Sequence, residues 1–199
     1  MVSTNSDPRG VIPTPVKIVV AGGFGAGKTT MVGSVSEIPP LSTEEVMTQA
    51  SDGIDDITGV ESKTTTTVAL DFGRITISPH TVLYLFGTPG QDRFWFMWDE
   101  LARGAIGTVV LVDTRRLDSS FAAIDFFERR RIPFIIAVNC FEDADDYTEE
   151  EVRKALALSD AVPLMFFDAR QREASKLALI KLVRYAMSKL PVPEPAAAG

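Results

Sequence analysis

The sequence predicts a three-layer α/β sandwich on a six-stranded, mostly parallel sheet with one antiparallel edge strand. Three observations carry it. Apolar runs of strand length alternate with helix-periodic stretches along most of the 199 residues, the pattern of βα units whose helices cover both faces of a sheet. Two runs, Thr108–Val112 and Pro133–Val138, are apolar nearly throughout, as strands buried on both faces must be. The first run, Val16–Ala21, leads straight into a glycine-rich loop and a helix-compatible stretch from Thr30 to Val35.

Taken in order, strands are expected at 16–21, 67–77, 81–86, 107–113, 133–139 and 162–167. Helices are expected at about 28–36, 92–103, 119–130, 149–157 and 171–190. The turn cluster Ser78-Pro79-His80 joins the second and third strands as a hairpin, which supplies the antiparallel edge. Leu179, Val183, Ala186 and Leu190 lie on one stripe of the last helix, the spacing that covers a sheet. No strand pattern runs from Ile38 to Thr66, and a connection of that length is usually functional or disordered. Within it Ser42-Thr43-Glu44-Glu45 reads as a capping box opening one or two helical turns through Ala50. Ser51–Lys63 is acidic, contains glycine and reads as mobile. The polar, proline-broken residues 1–15 and the Pro- and Ala-rich residues 191–199 are expected to be disordered, leaving 16–190 as one domain.

Composition narrows the function classes. A net charge of -7 and the lack of a basic cluster longer than Arg129-Arg130-Arg131 argue against a nucleic-acid binder. The single cysteine, Cys140, excludes an intramolecular disulfide and fits a reducing compartment. No stretch approaches the roughly 18 apolar residues of a membrane helix, so direct insertion is not expected. The expectation is a soluble, cytoplasmic protein that meets a membrane only through partners.

The loop after the first strand carries the chemistry. Gly22, Gly27, Lys28 and Thr29 match the phosphate-binding pattern G-x-x-x-x-G-K-[ST], between the strand and helix that the pattern requires. Glycines let successive backbone N–H groups of Gly23, Phe24, Gly25, Ala26 and Gly27 turn inward, and the helix that follows adds its positive end at Thr29 and Thr30. Lys28 reaches the β- and γ-phosphates, and the Thr29 hydroxyl takes Mg²⁺. The fold is thereby a P-loop nucleoside triphosphatase.

Four further segments fall at strand ends, where ligands of open α/β sheets gather. They are Lys63–Phe72, Phe86–Phe94, Asn139–Glu142 and Asp168–Arg170. In order and spacing they resemble the small Ras-like GTPases over residues 16–190, and so imply a Ras-like G domain. Thr67–Phe72 resembles the end of switch I, where a threonine contacts Mg²⁺ and the γ-phosphate. Gly87–Phe94 resembles the switch II pattern D-T-A-G-Q-E-R-F. Asn139 to Glu142 falls where N-K-x-D reads guanine, and Asp168-Ala169-Arg170 where S-A-K supports the base. More narrowly, the stretches Lys63–Gly73, Leu85–Phe94 and Gly104–Thr114 are similar to the conservon-type GTPases of actinobacteria, themselves similar to the MglA-like bacterial polarity GTPases. That resemblance implies GTP/GDP as ligands, Mg²⁺, a roadblock/LC7 partner and, for the conservon group, a membrane sensor kinase-like complex.

The chain departs from the pattern in four places. Gly87 replaces the aspartate that holds Mg²⁺ through water; Asp71, ahead of Asp113, is the carboxylate nearest to substituting for it. Phe24 stands where small residues are common, close to the expected γ-phosphate, and its ring crowds an arginine finger or the attacking water. Glu142 keeps a carboxylate at the base-reading position with one extra methylene, and Asp143 replaces it if the register slips. Cys140, in place of a lysine, reads as a buried small hydrophobe.

By the phosphoryl-transfer template, Gln91 orients the attacking water and the Gly90 N–H meets the γ-phosphate, beside Lys28 and Thr67. Arg93 is a charge stabiliser or a salt-bridge partner on the switch II helix. The aromatic run Phe94–Trp98 either packs that helix on the sheet or is presented to a partner. The function expected is a GTP-dependent switch in bacterial signalling with slow hydrolysis. The alternatives are a nucleotide-bound scaffold with degraded turnover and a P-loop ATPase using Asp113.

Overall fold

The computed structural model describes residues 12–39, 41–48, 65–90, 94 and 96–190, with backbone alone at 41–48 and 65–69. These form a seven-stranded sheet. The strands are β1 (Thr14–Gly22), β2 (Leu41–Thr48), β3 (Thr65–Ser78), β4 (Thr81–Gly87), β5 (Ala105–Val112), β6 (Phe134–Asn139) and β7 (Leu164–Phe167). Spatial order is β2-β3-β4-β1-β5-β6-β7. β2–β3 and β3–β4 pair antiparallel, and every other neighbouring pair is parallel. The helices are α1 (Lys28–Val35), α2 (Met97–Ala102), α3 (Asp118–Arg129), α4 (Glu149–Ala155) and α5 (Arg172–Ser188).

The apolar runs explain the layers. Along β1, β5 and β6 alternate side chains enter two separate cores. Ile18, Val20, Val109, Leu111, Ile135 and Ala137 pack beneath α1 and α5, while Val19, Val110, Val112, Ile136 and Val138 pack beneath α2, α3 and α4. A strand with both faces covered has no polar face to alternate with, hence the unbroken hydrophobicity. α3 closes its face with Phe126 and Phe127; the Trp98 ring of α2 stacks on Phe127 and meets Phe126 edge-on. Lys17 of β1 donates to the Glu100 and Arg103 carbonyls at the end of α2 and fixes that helix to the sheet.

Three expectations are corrected. The stretch from Ser42 to Ala50, read as a capped helix, contains β2 instead: Leu41–Thr48 pairs with Thr65–Phe72 of β3. The sheet therefore has a seventh strand beyond the six expected, and the antiparallel edge is two strands wide. A strand at a sheet edge takes its hydrogen bonds from its neighbour, so local capping signals such as Ser42 and Glu45 are overridden. The buried stripe of α5 is Ser175, Ala178, Leu179, Leu182 and Ala186, and Leu190 lies exposed beyond the helix. Elsewhere the Ser78–Thr81 hairpin stands where the turn cluster predicts it.

Candidate functional site

The carboxyl ends of β1, β5, β6 and β7 converge on the loop Gly22–Thr29. At Gly27 the backbone is left-handed (φ 104°) and a β-carbon would lie 2.5 Å from Asn139 Nδ2, so both conformation and space require glycine. Lys28 Nζ donates to the Gly22 and Gly23 carbonyls at 2.8 and 2.7 Å, which curls the loop around its amine. Burial lowers the Lys28 pKa to about 8, against the pull of the Asp71 charge. The ammonium is less favoured here than on a free lysine, and a bound anion would favour it.

At the helix end of the loop Thr29 meets Asp71. Thr29 Oγ1 donates to Asp71 Oδ2 at 2.7 Å, and Asp71 is buried. Asp71 lies opposite Gly87 in the β3–β4 ladder. A β-carbon on Gly87 would meet Asp71 Cβ and Oδ2 at 2.9 Å. The Asp71 side chain thus fills the space that a side chain at position 87 would use, carrying a carboxylate to Thr29 from the neighbouring strand. Asp113 is unsuited to that task. Its carboxylate takes Arg115 at 2.8–2.9 Å and, more distantly, Arg116. Burial opposes its ionisation, but these arginine bonds outweigh burial and hold its pKa below the usual carboxylate range. A hydroxyl and a carboxylate, both hard oxygen donors, fit Mg²⁺, which typically takes one or two protein ligands and completes its shell with water and phosphate.

At the other end Asn139 joins the loop to the base-side segment. Its Nδ2 donates to the Ala26 carbonyl at 3.1 Å, and its Oδ1 accepts from Ala169 N at 3.0 Å. One amide thereby locks loop, β6 and the β7–α5 turn together. Beside it opens a cleft of about 320 Å³, lined at one end by Gly25, Gly27 and Thr30 and at the other by Glu142, Asp168 and Arg170. Arg170 bridges the acidic end, donating to Asp168 Oδ2 and Glu142 Oε1, each at 2.9 Å. The Arg170 bonds keep the Asp168 pKa low. Glu142 is exposed rather than buried, and its neighbour Asp143 is committed to Arg115. Cys140 corrects an expectation: it is exposed, not buried, and lines the cleft beside Asn139. Partial burial still pushes its thiol pKa up.

Gly90 lies over the loop, where a β-carbon would come 2.7 Å from Lys28 Nζ and 2.8 Å from Phe24 Cα. Phe24 is two-thirds exposed (67%). Thr67 is on β3 opposite Val46. Gln91, Arg93 and Trp95 lie outside the described residues. Of the other aromatics, Phe94 and Trp98 are buried, whereas Phe96 is half exposed, so packing and presentation are divided between side chains. Sequence reasoning missed the pair Arg115-Arg116. The signal available was its position just after the last residue of β5, at the ligand-bearing edge.

A family model described as conserved hypothetical ATP binding protein matches residues 20–189, from within β1 to just past α5. The chain belongs to this family. It is a nucleotide-binding protein on this ground. An uncharacterised protein of Methanocaldococcus jannaschii is 32% identical over 137 residues, 68% of this chain and 76% of that protein. Among solved structures, the G domain of the T. maritima FeoB iron transporter superposes with a TM-score of 0.59 at 19% identity, covering 87% of this chain and 99% of that one. The apo cytosolic domain of the same transporter gives 0.59 at 18%, covering 92% of this chain and 67% of that one. At such identities the likeness concerns the fold, which is that of a G domain, a P-loop nucleoside triphosphatase. Among the described residues no helix is long and apolar enough to cross a membrane.

Proposed function

We propose that this protein is a GTP-dependent switch: it binds GTP with Mg²⁺, engages a partner while loaded and resets by slow hydrolysis. The observation that carries this is the Asn139 bridge, which sets a phosphate loop and an acidic base-side cleft at a fixed separation. Guanine offers N1–H and a 2-amino group as donors, where adenine offers an acceptor at N1. A cleft whose far end presents the Glu142 carboxylate, with Asp168 taken up by Arg170, favours the donor edge. Glu142 gives one oxygen to Arg170 and keeps Oε2 for the base. Ala169 N is engaged by Asn139, so the S-A-K-like turn acts through position rather than a spare donor.

In hydrolysis water attacks the γ-phosphorus, the bond to the β–γ bridging oxygen breaks, and negative charge collects on the leaving GDP. The Lys28 ammonium, curled beneath the loop, neutralises β- and γ-oxygens. The loop N–H groups take the remaining phosphate charge, and Gly90 N–H sits at the γ-end. Gln91 orients the water, and Thr67 joins Thr29 in ordering the γ-phosphate end. Thr29, with Asp71 behind it, would hold Mg²⁺, which when bound would supply charge neutralisation to the phosphates. Phe24, exposed at the γ-end, restricts what can approach from outside and supports slow turnover. A roadblock/LC7 protein, with a membrane sensor kinase-like complex beyond it, is the partner class that the sequence resemblance supports, and Phe96 offers it an exposed ring.

The family description favours a second reading, an ATP-binding protein on the same loop. Releasing nucleotide from the purified protein and separating it by chromatography discriminates the two. GDP or GTP in the released fraction supports the switch. ATP or ADP alone places the base site with adenine and ends the guanine reading.

A further inference from the structure

The short 3-10 turn Thr114–Arg116 after β5 leans on the phosphate loop at Phe24 and Gly25. Its two arginines differ sharply. Arg115 is spent: it holds Asp113 through Nε and Nη2, pairs with Asp143, and stacks on Phe141 at 3.7 Å. Arg116 is held lightly. Its Nη2 donates to the Phe24 carbonyl at 2.9 Å, and its contact with Asp113 is long, at 3.4 Å. Its Nε and Nη1 have no partner among the described residues, and the side chain is half exposed. The same Nη2 lies 2.7 Å from where a Gly25 β-carbon would be, and Gly25 lines the nucleotide cleft. Gly90 and the Arg116 guanidinium thus both lie against the Phe24 backbone.

We infer that Arg116 is the arginine that this protein supplies, in cis, to the phosphates during hydrolysis. The inference rests on the nucleotide-triphosphate reading above and adds to it the source of the transition-state charge. Nearly all catalysis of phosphoryl transfer is positioning and charge neutralisation, and an arginine delivered to the γ-end is worth several orders of magnitude in rate. Arg116 has what that task needs: a permanent charge, a planar fork with free donors, and an anchor on the loop residue beside the γ-phosphate. Its Asp113 contact is long because Arg115 already takes both oxygens of that carboxylate, which leaves the Phe24 carbonyl as its main tether. As the bond from the γ-phosphorus to the bridging oxygen breaks and water adds to phosphorus, Arg116 meets the growing charge on the bridging and γ-oxygens. It transfers no proton; the proton of the attacking water leaves with the phosphate. The arrangement also gives Phe24 a part. A bulky ring at the usual approach of an external arginine costs nothing when the arginine is already inside. Cis-arginine switches turn over at about 10⁻² per second and loops without one near 10⁻⁴, so slow resetting and a cis arginine are compatible.

The test compares wild type, Arg116→Ala, Arg116→Lys and Arg129→Ala, the last removing an exposed charge at the far end of α3. Single-turnover hydrolysis is measured on the triphosphate that the protein binds, along with Kd for its non-hydrolysable analogue and trapping of the diphosphate with aluminium fluoride. Arg116→Ala is expected to slow turnover roughly a hundredfold or more, with Kd within about threefold of wild type. Partner-free aluminium fluoride trapping is expected in wild type and lost in Arg116→Ala. Arg116→Lys falls between, and Arg129→Ala matches wild type. Wild-type turnover in Arg116→Ala overturns the inference. So does a wild type that binds triphosphate yet neither hydrolyses it nor traps aluminium fluoride, and in that case the binding reading survives. A wild type that binds no triphosphate removes that reading and this inference together.

Discussion

Asp71 and Lys28 together set the electrostatics of the phosphate end, and each leads to an expected outcome. Asp71→Asn keeps the volume and a polar contact to Thr29 but removes the charge. Triphosphate affinity in Mg²⁺ is expected to fall about tenfold while affinity in EDTA is unchanged, as read by titration of a fluorescent nucleotide in both buffers; the loss is the order of one charge-assisted hydrogen bond. Lys28 gives a pH dependence. Its folded pKa of about 8 lies below the ordinary 10.5. Below about pH 8 the lysine is charged in both states, and the folded protein bears the full cost of burying that charge. Between about 8 and 10.5 the unfolded chain holds a proton that the folded protein has released, so the stability of the nucleotide-free protein rises with pH across that window. Phosphates favour the charged lysine, so binding above pH 8 takes up a proton. Triphosphate affinity is expected to fall between pH 8 and 10, by up to about tenfold per unit. Titrations at pH 7, 8, 9 and 10 check this, and an affinity that is flat with pH contradicts it. The spacing of Gly22, Gly27, Lys28 and Thr29 predicted the loop that curls around the Lys28 amine, and the glycine at position 87 pointed to Asp71, which lies against Thr29. The lock of Asp113 on Arg115 was not legible, because it depends on a turn that folds two residues back onto their predecessor.

Elements differ in how far local sequence determines them. β1, β5 and β6 announce themselves because two covered faces demand unbroken apolar runs. β2 does not, since an edge strand is defined by its hydrogen bonds to β3 and its own residues also suit a helix cap. The exposure of Cys140 was hidden for a related reason: its neighbours Val138 and Asn139 are buried, and only the end of β6 decides that the chain turns outward there. α5 is the element that holds the far face. Leu182 is fully buried and approaches Gly107 of β5 so closely that a β-carbon there would meet its Cδ1 at 2.9 Å. Leu182→Ala opens a cavity at that crossing and is expected to cost about 2–5 kcal/mol, measured by urea denaturation. Nucleotide affinity is expected to hold in the folded fraction, because α5 covers the sheet without touching the cleft at this position.

For the molecule as a whole, one strand-end surface gathers phosphate loop, carboxylate and base cleft, and Asn139 fixes their spacing. The topology that does this was predictable from the alternation of apolar and helical segments. The proposed guanine preference comes from sequence pattern, in which Glu142 departs from the expected aspartate; the structure shows that residue exposed and paired with Arg170. Removing that carboxylate in Glu142→Ala is expected to cut the preference for GTP over ATP roughly ten- to a hundredfold, the worth of a hydrogen bond to a charged group. The most direct measurement of the central claim is competition of unlabelled GTP, GDP and ATP against a fluorescent guanine nucleotide on the wild-type protein with Mg²⁺ present. A guanine-reading cleft requires GTP and GDP to displace the probe at least tenfold more effectively than ATP. Displacement by ATP at equal or lower concentration contradicts it and makes the acidic cleft a site for adenine.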